Sequence, residues 1–289
     1  MKWREGGQIK IRDIMVEDVA YVTLPGTREE IMAICKERYI SGVPVVKEGK
    51  VVGVVTRQDL LRNPDEEQIA LLMSRNPITT GPEATIAEAA RIILSHRIRR
   101  LPVVEEEMLV GIITVADIVR KIAELGYKEP IGDYIGDKTI AIWDGMPLSV
   151  AGRIMELAKV KAVPVLSSDL ELVGLITDRD LINAAMIEDA TEDSDLSLGS
   201  DEDEWTWEGM RDTMRLYYSV SKIKLPDKLV GEVMVKEVVT ATRNCEVSEC
   251  AAKMSENKFD QLPVVSTKGK LFGMLLDRDL LKVFANRRG

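Results

Sequence analysis

Short blocks of consecutive apolar residues, separated by charged turns, recur along this chain. The clearest is Arg99–Asp117, RRLPVVEEEMLVGIITVAD. An apolar run, Leu101–Val104, is followed by three glutamates, a second run, Met108–Ile113, and the polar-ended stretch Thr114–Asp117. Two β-branched runs joined by a short polar turn predict a strand pair. The apolar periodicity after Asp117 predicts a helix beginning there. The pattern returns as GVPVVKEGKVVGVVTRQD over Gly42–Asp59, AVPVLSSDLELVGLITDRD over Ala162–Asp180 and QLPVVSTKGKLFGMLLDRD over Gln261–Asp279. Each copy is anchored by a proline, a glycine and an aspartate: Pro44/Gly53/Asp59, Pro102/Gly111/Asp117, Pro164/Gly174/Asp180 and Pro263/Gly273/Asp279. An internal repeat of this regularity governs the fold.

Upstream of each pair the pattern also repeats. Apolar turns at Ile11–Val16, Ile69–Met73 and Gly231–Val235 precede repeats 1, 2 and 4. Short strands are predicted at Ala20–Leu24, Pro77–Thr80, Lys138–Ile142 and Glu237–Ala241. A helix follows each, best seen at Thr85–Ser95, where Ile86, Ala89, Ala90, Ile93 and Leu94 share one face. The predicted fold is α/β (α+β), with four β-α-β-β-α repeats at residues 1–66, 67–125, 126–186 and 227–289. A unit of this size buries too little surface alone. Its PVV and GVV strands are apolar on successive residues and need cover on both faces, which paired repeats supply. Residues 187–226 are an insert. Ile187–Glu204 contains no Lys or Arg, which predicts a solvated loop. Trp205–Val220 carries Trp207, Met210, Met214 and Tyr217 at helical spacing. That stripe fits a helix packed on its own module, or one docking a partner protein or a second subunit.

The xxPVV…GhhTxxD pattern resembles the CBS domain, named after cystathionine beta-synthase. Four copies in register are similar to the gamma subunit of AMP-activated kinase and to archaeal stand-alone four-CBS proteins. The resemblance implies two pseudo-symmetric modules, repeats 1+2 and 3+4, with a break near Gly126–Pro130. It also implies clefts for adenine nucleotides. Asp59, Asp117, Asp180 and Asp279 would then contact ribose, and Thr56, Thr114 and Thr177 ribose or phosphate. The backbone before each proline, at Val43, Leu101 and Val163, would read the adenine edge. Arg99 and Arg100 would hold phosphate, as would Lys161 more weakly. A looser alignment turns Thr23 and Thr80 toward the ligand.

The residues support two roles for Thr-x-x-Asp. It is a capping box at a helix start. It also offers a carboxylate for two adjacent ribose hydroxyls, beside a hydroxyl and helix N–H groups that suit phosphate. Repeat 4 departs from the pattern. Leu276 stands where the others have threonine, and Asp260 where repeat 2 has Arg99; Asp277 offers a substitute cap. Its motif is therefore expected to be the weakest phosphate site, with repeats 1 to 3 supplying the occupied ones.

Composition narrows the function. The chain of 289 residues carries a net charge of −9, which disfavours general nucleic-acid binding. No apolar run approaches membrane-spanning length, and the N-terminus has no signal-like apolar core. The three cysteines, Cys35, Cys245 and Cys250, have no metal spacing and fit reduced cytosolic thiols. The single histidine, His96, has no partner for catalysis or metal binding. The expectation is a non-catalytic, cytoplasmic sensor with AMP, ADP or ATP as regulatory ligand, no catalytic cofactor and no metal site. An unidentified protein would read its state, and a homodimer is left open. One rival is a sensor of S-adenosylmethionine or a related adenosyl ligand. A second is a nucleic-acid-binding or scaffold protein without nucleotide control.

Overall fold

The computed structural model describes residues 9–63, 66–136, 138–181, 183–184 and 225–285. The acidic run at 187–204 and the stripe at 205–220 lie outside them. The chain divides into two compact units: residues 1–136, 241–262 and 274–289, and residues 137–240 and 263–273.

In the first unit, repeat 1 contributes β1 (Val22–Thr23), α1 (Arg28–Glu37), β2 (Gly42–Lys47), β3 (Lys50–Thr56) and α2 (Arg57–Arg62). Repeat 2 contributes α3 (Ile69–Leu72), β4 (Ser74–Arg75), α4 (Ile86–His96), β5 (Arg100–Glu105), β6 (Met108–Thr114) and α5 (Val115–Leu125). One sheet spans both repeats in the order β1-β2-β3-β6-β5, with β4 also on β3. The two predicted hairpins, β2–β3 and β5–β6, are antiparallel, and each carries an irregularity after its PV pair. They meet where Lys50 opposes Met108. Val43, Val45, Val55, Leu101, Val103 and Ile113 are fully buried between the helices, as continuous apolar strands require.

The predicted first strands are shorter than the sequence suggested. Repeat 1 keeps two residues, Val22 and Thr23, parallel to Val45 and Val46. Repeat 2 keeps a single bridge, Thr80 to Val103. In repeat 2, Pro77 and Pro82 flank the segment and cannot donate to a ladder. The brevity of β1 also accommodates Pro44, which lies before the residues that β1 pairs.

The lead-in segments cross between repeats. Arg75, leading into repeat 2, pairs with Gly53 of repeat 1. Val16, leading into repeat 1, bridges Ile112 of repeat 2. This exchange explains the anchor glycines. A Cβ on Gly53 would lie 2.5 Å from Met73 Sδ, and one on Gly111 would lie 2.5 Å from Met15 Sδ. Gly111→Ala is therefore expected to cost about 1–2 kcal/mol through overpacking, read as a lowered denaturant midpoint. An unchanged midpoint would show that Met15 swings aside freely.

The second unit holds β7 (Ile142–Trp143), α6 (Leu148–Ala158), β8 (Ala162–Leu166), β9 (Leu172–Thr177) and α7 (Val230–Val233). Its sheet runs β7-β8-β9. Its core is Ile142, Leu148, Ala151, Met155, Val163, Val165, Ile176, Leu181, Ala184 and Val230. The exchange recurs here: Val235, leading into repeat 4, bridges Leu175, and Met234 packs where Gly174 lacks a side chain.

Repeat 4 supplies α8 (Val247–Asn257), the two-stranded sheet of β10 (Gln261–Val265) and β11 (Leu271–Leu276), α9 (Asp277–Leu280) and α10 (Lys282–Ala285). Its helices belong to the first unit. There α5 packs on α8 and α9, and α4 on α10. Gly126, in the left-handed region, ends α5. Buried Ser248 then ties this turn to α8, donating to the Ile122 carbonyl at 2.6 Å and accepting from the Tyr127 N–H at 2.5 Å. Tyr127 meets Phe284 edge to face.

Candidate functional site

The strand-to-helix corner is built alike in repeats 1 to 3. In repeat 1 the Thr56 N–H and hydroxyl donate to Asp59 Oδ2 at 2.9 and 2.6 Å. In repeat 2 Thr114 donates to Asp117 Oδ2 at 3.0 and 2.6 Å. In repeat 3 Thr177 donates to Asp180 Oδ2 at 2.8 and 2.7 Å. The capping box is thus real, and it uses one carboxylate oxygen. The second oxygen differs between repeats. Asp117 Oδ1 sits 3.4 Å from Arg120, while the hydrogen bonds of Asp59 and Asp180 all fall on Oδ2. In repeat 4 the Leu276 N–H donates to Asp279 at 3.3 Å, and Asp279 Oδ1 pairs with Lys282 at 2.8 Å. Asp277 Oδ1 accepts the neighbouring first-turn Arg278 N–H at 2.7 Å, a partial cap that Asp178 also makes with Arg179 in repeat 3.

A backbone bond sets the other wall of each corner. The first helical N–H donates to the carbonyl three residues before the proline: Arg57 to Ser41, Val115 to Arg99, Asp178 to Lys161, and Asp277 to Asp260, at 2.8–3.0 Å. This brings the pre-proline residues beside each Thr-x-x-Asp. Val43, Leu101 and Val163 bury their side chains here and pair with Val55, Ile113 and Ile176. Their side chains are therefore taken up by the core, which leaves only backbone atoms at these positions to face the corner. The Lys161 side chain is exposed, as is Thr23. Thr80 is buried and sits at the edge of a shallow depression with Glu88 and Arg91.

The two arginines of repeat 2 do not stay together. Arg100 reaches repeat 1, donating to Ser41 Oγ at 2.7 Å, with its guanidinium where Gly42 leaves room. Burial lowers the Arg100 pKa; Arg99 and Arg57 lower it further, while Cys35 and Asp59 act in the opposite sense. Arg57, the residue after Thr56, buries its Nε without a hydrogen-bond partner. Arg100 thus feels the charges of both Arg57 and Asp59, and neighbouring guanidinium groups favour an anion. Ser41 and Arg57 were not among the expected ligands. Their only sequence signal is their position beside the motif.

Arg99 turns instead to repeat 4. It forms a two-pronged pair with Asp277, Nη1 to Oδ1 at 3.1 Å and Nη2 to Oδ2 at 2.6 Å. Asp277 is 4% exposed. Burial raises its pKa, the bonds from Arg99 pull it back in part, and Asp260 raises it further.

A model of the CBS domain matches residues 11–66, 67–124, 131–187 and 230–286. The protein MJ1225 of Methanocaldococcus jannaschii is 28% identical over 282 residues, covering 89% of this chain and 92% of that one. A crystal structure of a conserved protein from Pyrococcus horikoshii is similar, with a TM-score of 0.70 and 27% identity over 96% of this chain and all of that one. The MJ1225 crystal structure, presented as a candidate archaeal homolog of g-AMPK, has a TM-score of 0.69 at 24% identity over 96% of this chain and all of its own. Among the described residues, no helix is long and apolar enough to cross a membrane.

Proposed function

The chain belongs to the CBS-domain family, with all four repeats matched, and from that premise we propose that it is a non-catalytic regulatory protein that binds AMP, ADP or ATP. One observation carries this reading: Arg100 crosses to Ser41 at the corner of repeat 1 that Thr56 and Asp59 build, with Arg57 next in sequence to Thr56. A carboxylate suits a ribose diol, and adjacent guanidinium groups suit phosphate. S-adenosylmethionine carries no phosphate and offers these arginines one carboxylate, offset by its own ammonium and sulfonium charges, so they match a nucleotide better. Ligand binding would shift the balance between arrangements of the repeats, by the difference in its affinity for each. A cytoplasmic protein partner would read that shift.

The acids test the reading. Asp59→Asn keeps an oxygen for the cap while removing the charged acceptor. Asp117→Ala and Asp180→Ala remove both. Each is expected to weaken nucleotide binding about tenfold or more, the loss of a charge-assisted bond worth about 1.5–3 kcal/mol. Calorimetric titration with melting curves on the same samples checks this. Lowered melting temperatures with unchanged affinity would leave the motif as a cap alone.

A further inference from the structure

We infer that Asp277 is a built-in competitor for phosphate at Arg99 and sets how strongly affinity depends on the number of phosphates in the ligand. This rests on the nucleotide reading above and adds to it a residue that reading does not use.

Three observations support it. The Asp277 carboxylate engages Arg99 through both oxygens, at 2.6 and 3.1 Å, the geometry in which a guanidinium also takes a phosphate. The Arg99 carbonyl accepts the Val115 N–H at 3.0 Å, which places Arg99 beside the Thr114–Asp117 corner of repeat 2 and next in sequence to Arg100. Asp277 comes from a different repeat and is not needed to close the Leu276 corner, which Asp279 closes. Its other side-chain bond is to the neighbouring Arg278 N–H at 2.7 Å.

A ligand with one phosphate would be held by Arg57 and Arg100 while Asp277 keeps Arg99. A longer phosphate chain would reach Arg99 only by displacing Asp277. The cost of that displacement falls on ATP more than on AMP. It would also release α9 of repeat 4 from repeat 2, so phosphate number would be reported across the first unit.

The test titrates the full chain with adenosine, AMP, ADP and ATP. Asp277→Asn keeps the side chain's shape but removes its charge. It is expected to raise ATP affinity about tenfold, to raise AMP affinity much less, and to leave adenosine affinity unchanged. In an Arg99→Ala background the same substitution should give no gain, since the two act as a pair. A second measurement needs no substitution: the Arg99 Nε–H resonance of the wild type should move with ATP and stay in place with adenosine. Equal effects of Asp277→Asn on ATP and AMP, or an Arg99 resonance indifferent to ATP, would overturn the inference while nucleotide binding stood. A wild type that binds none of the four ligands would overturn the nucleotide reading, and this inference with it.

Discussion

Arg100→Ala is expected to weaken ATP binding by one to two orders of magnitude while leaving adenosine binding within a few-fold. The side chain crosses from repeat 2 to donate to Ser41 at 2.7 Å, and burial with two neighbouring arginines already lowers its pKa. Like charges held together destabilise one another until an anion arrives, so the cluster's full attraction is realised on binding. Charge-assisted bonds contribute about 1.5–3 kcal/mol each, which is roughly tenfold to a hundredfold in affinity. The adenosine control matters, because a general loss of structure would weaken both ligands alike. Arg100→Lys should restore only part of the affinity, since an ammonium cannot make the two-pronged contact. Equal weakening of adenosine and ATP would remove Arg100 from the phosphate site.

The largest effect on stability is expected at Arg99. Arg99→Ala leaves the Asp277 carboxylate, 4% exposed, without its cation. Removing one partner of a fully buried pair costs about 3–5 kcal/mol. The Arg99 side chain is half exposed, so water screens part of this and about 2–3 kcal/mol is expected. The loss should depend on pH. Burial raises the Asp277 pKa above its ordinary 3.8, so the folded state holds that proton more tightly than the unfolded chain. Such a group favours the fold most below the unfolded pKa, and the benefit is lost as pH rises through the folded-state pKa. Removing Arg99 raises the folded-state pKa further. The groups that remain around Asp277 are Asp260, which raises it, and the Arg278 N–H, which lowers it. The deficit of Arg99→Ala relative to wild type should therefore be small near pH 4 and complete at neutral pH. Urea midpoints at several pH values measure this. A deficit independent of pH would mean that lost packing, not the unpaired buried charge, is responsible.

Much of the architecture was legible from local pattern. The hairpins follow from paired apolar runs, and the helix starts from Thr-x-x-Asp, because both are set by residues close in sequence. The capping boxes at Thr56, Thr114 and Thr177 fall where the motif put them. Long-range contacts were not legible. Gly111 stood out only as an anchor of the repeat; its reason is Met15, nearly a hundred residues away in sequence and brought in by exchanged lead-in segments. The division of the two arginines has a similar cause. Arg99 lies in the bend before β5 and Arg100 is the first residue of that strand, so Arg100 meets Ser41 while Arg99 meets Asp277. The sequence gathered both around Asp117, whose own charged neighbour is Arg120. Arg57 was visible only as the residue between Thr56 and Asp59, since a lone arginine at a helix start is ordinary; its buried Nε and its influence on Arg100 give it meaning.

The central claim is that the chain binds adenine nucleotides through phosphate as well as nucleoside. The most direct measurement is calorimetric titration of the full chain, at one salt concentration, with AMP, ATP, adenosine and S-adenosylmethionine. Saturable binding of AMP and ATP, with adenosine and S-adenosylmethionine at least tenfold weaker, is the predicted result. Tighter binding of S-adenosylmethionine than of either nucleotide, or no binding of any of the four, would contradict it.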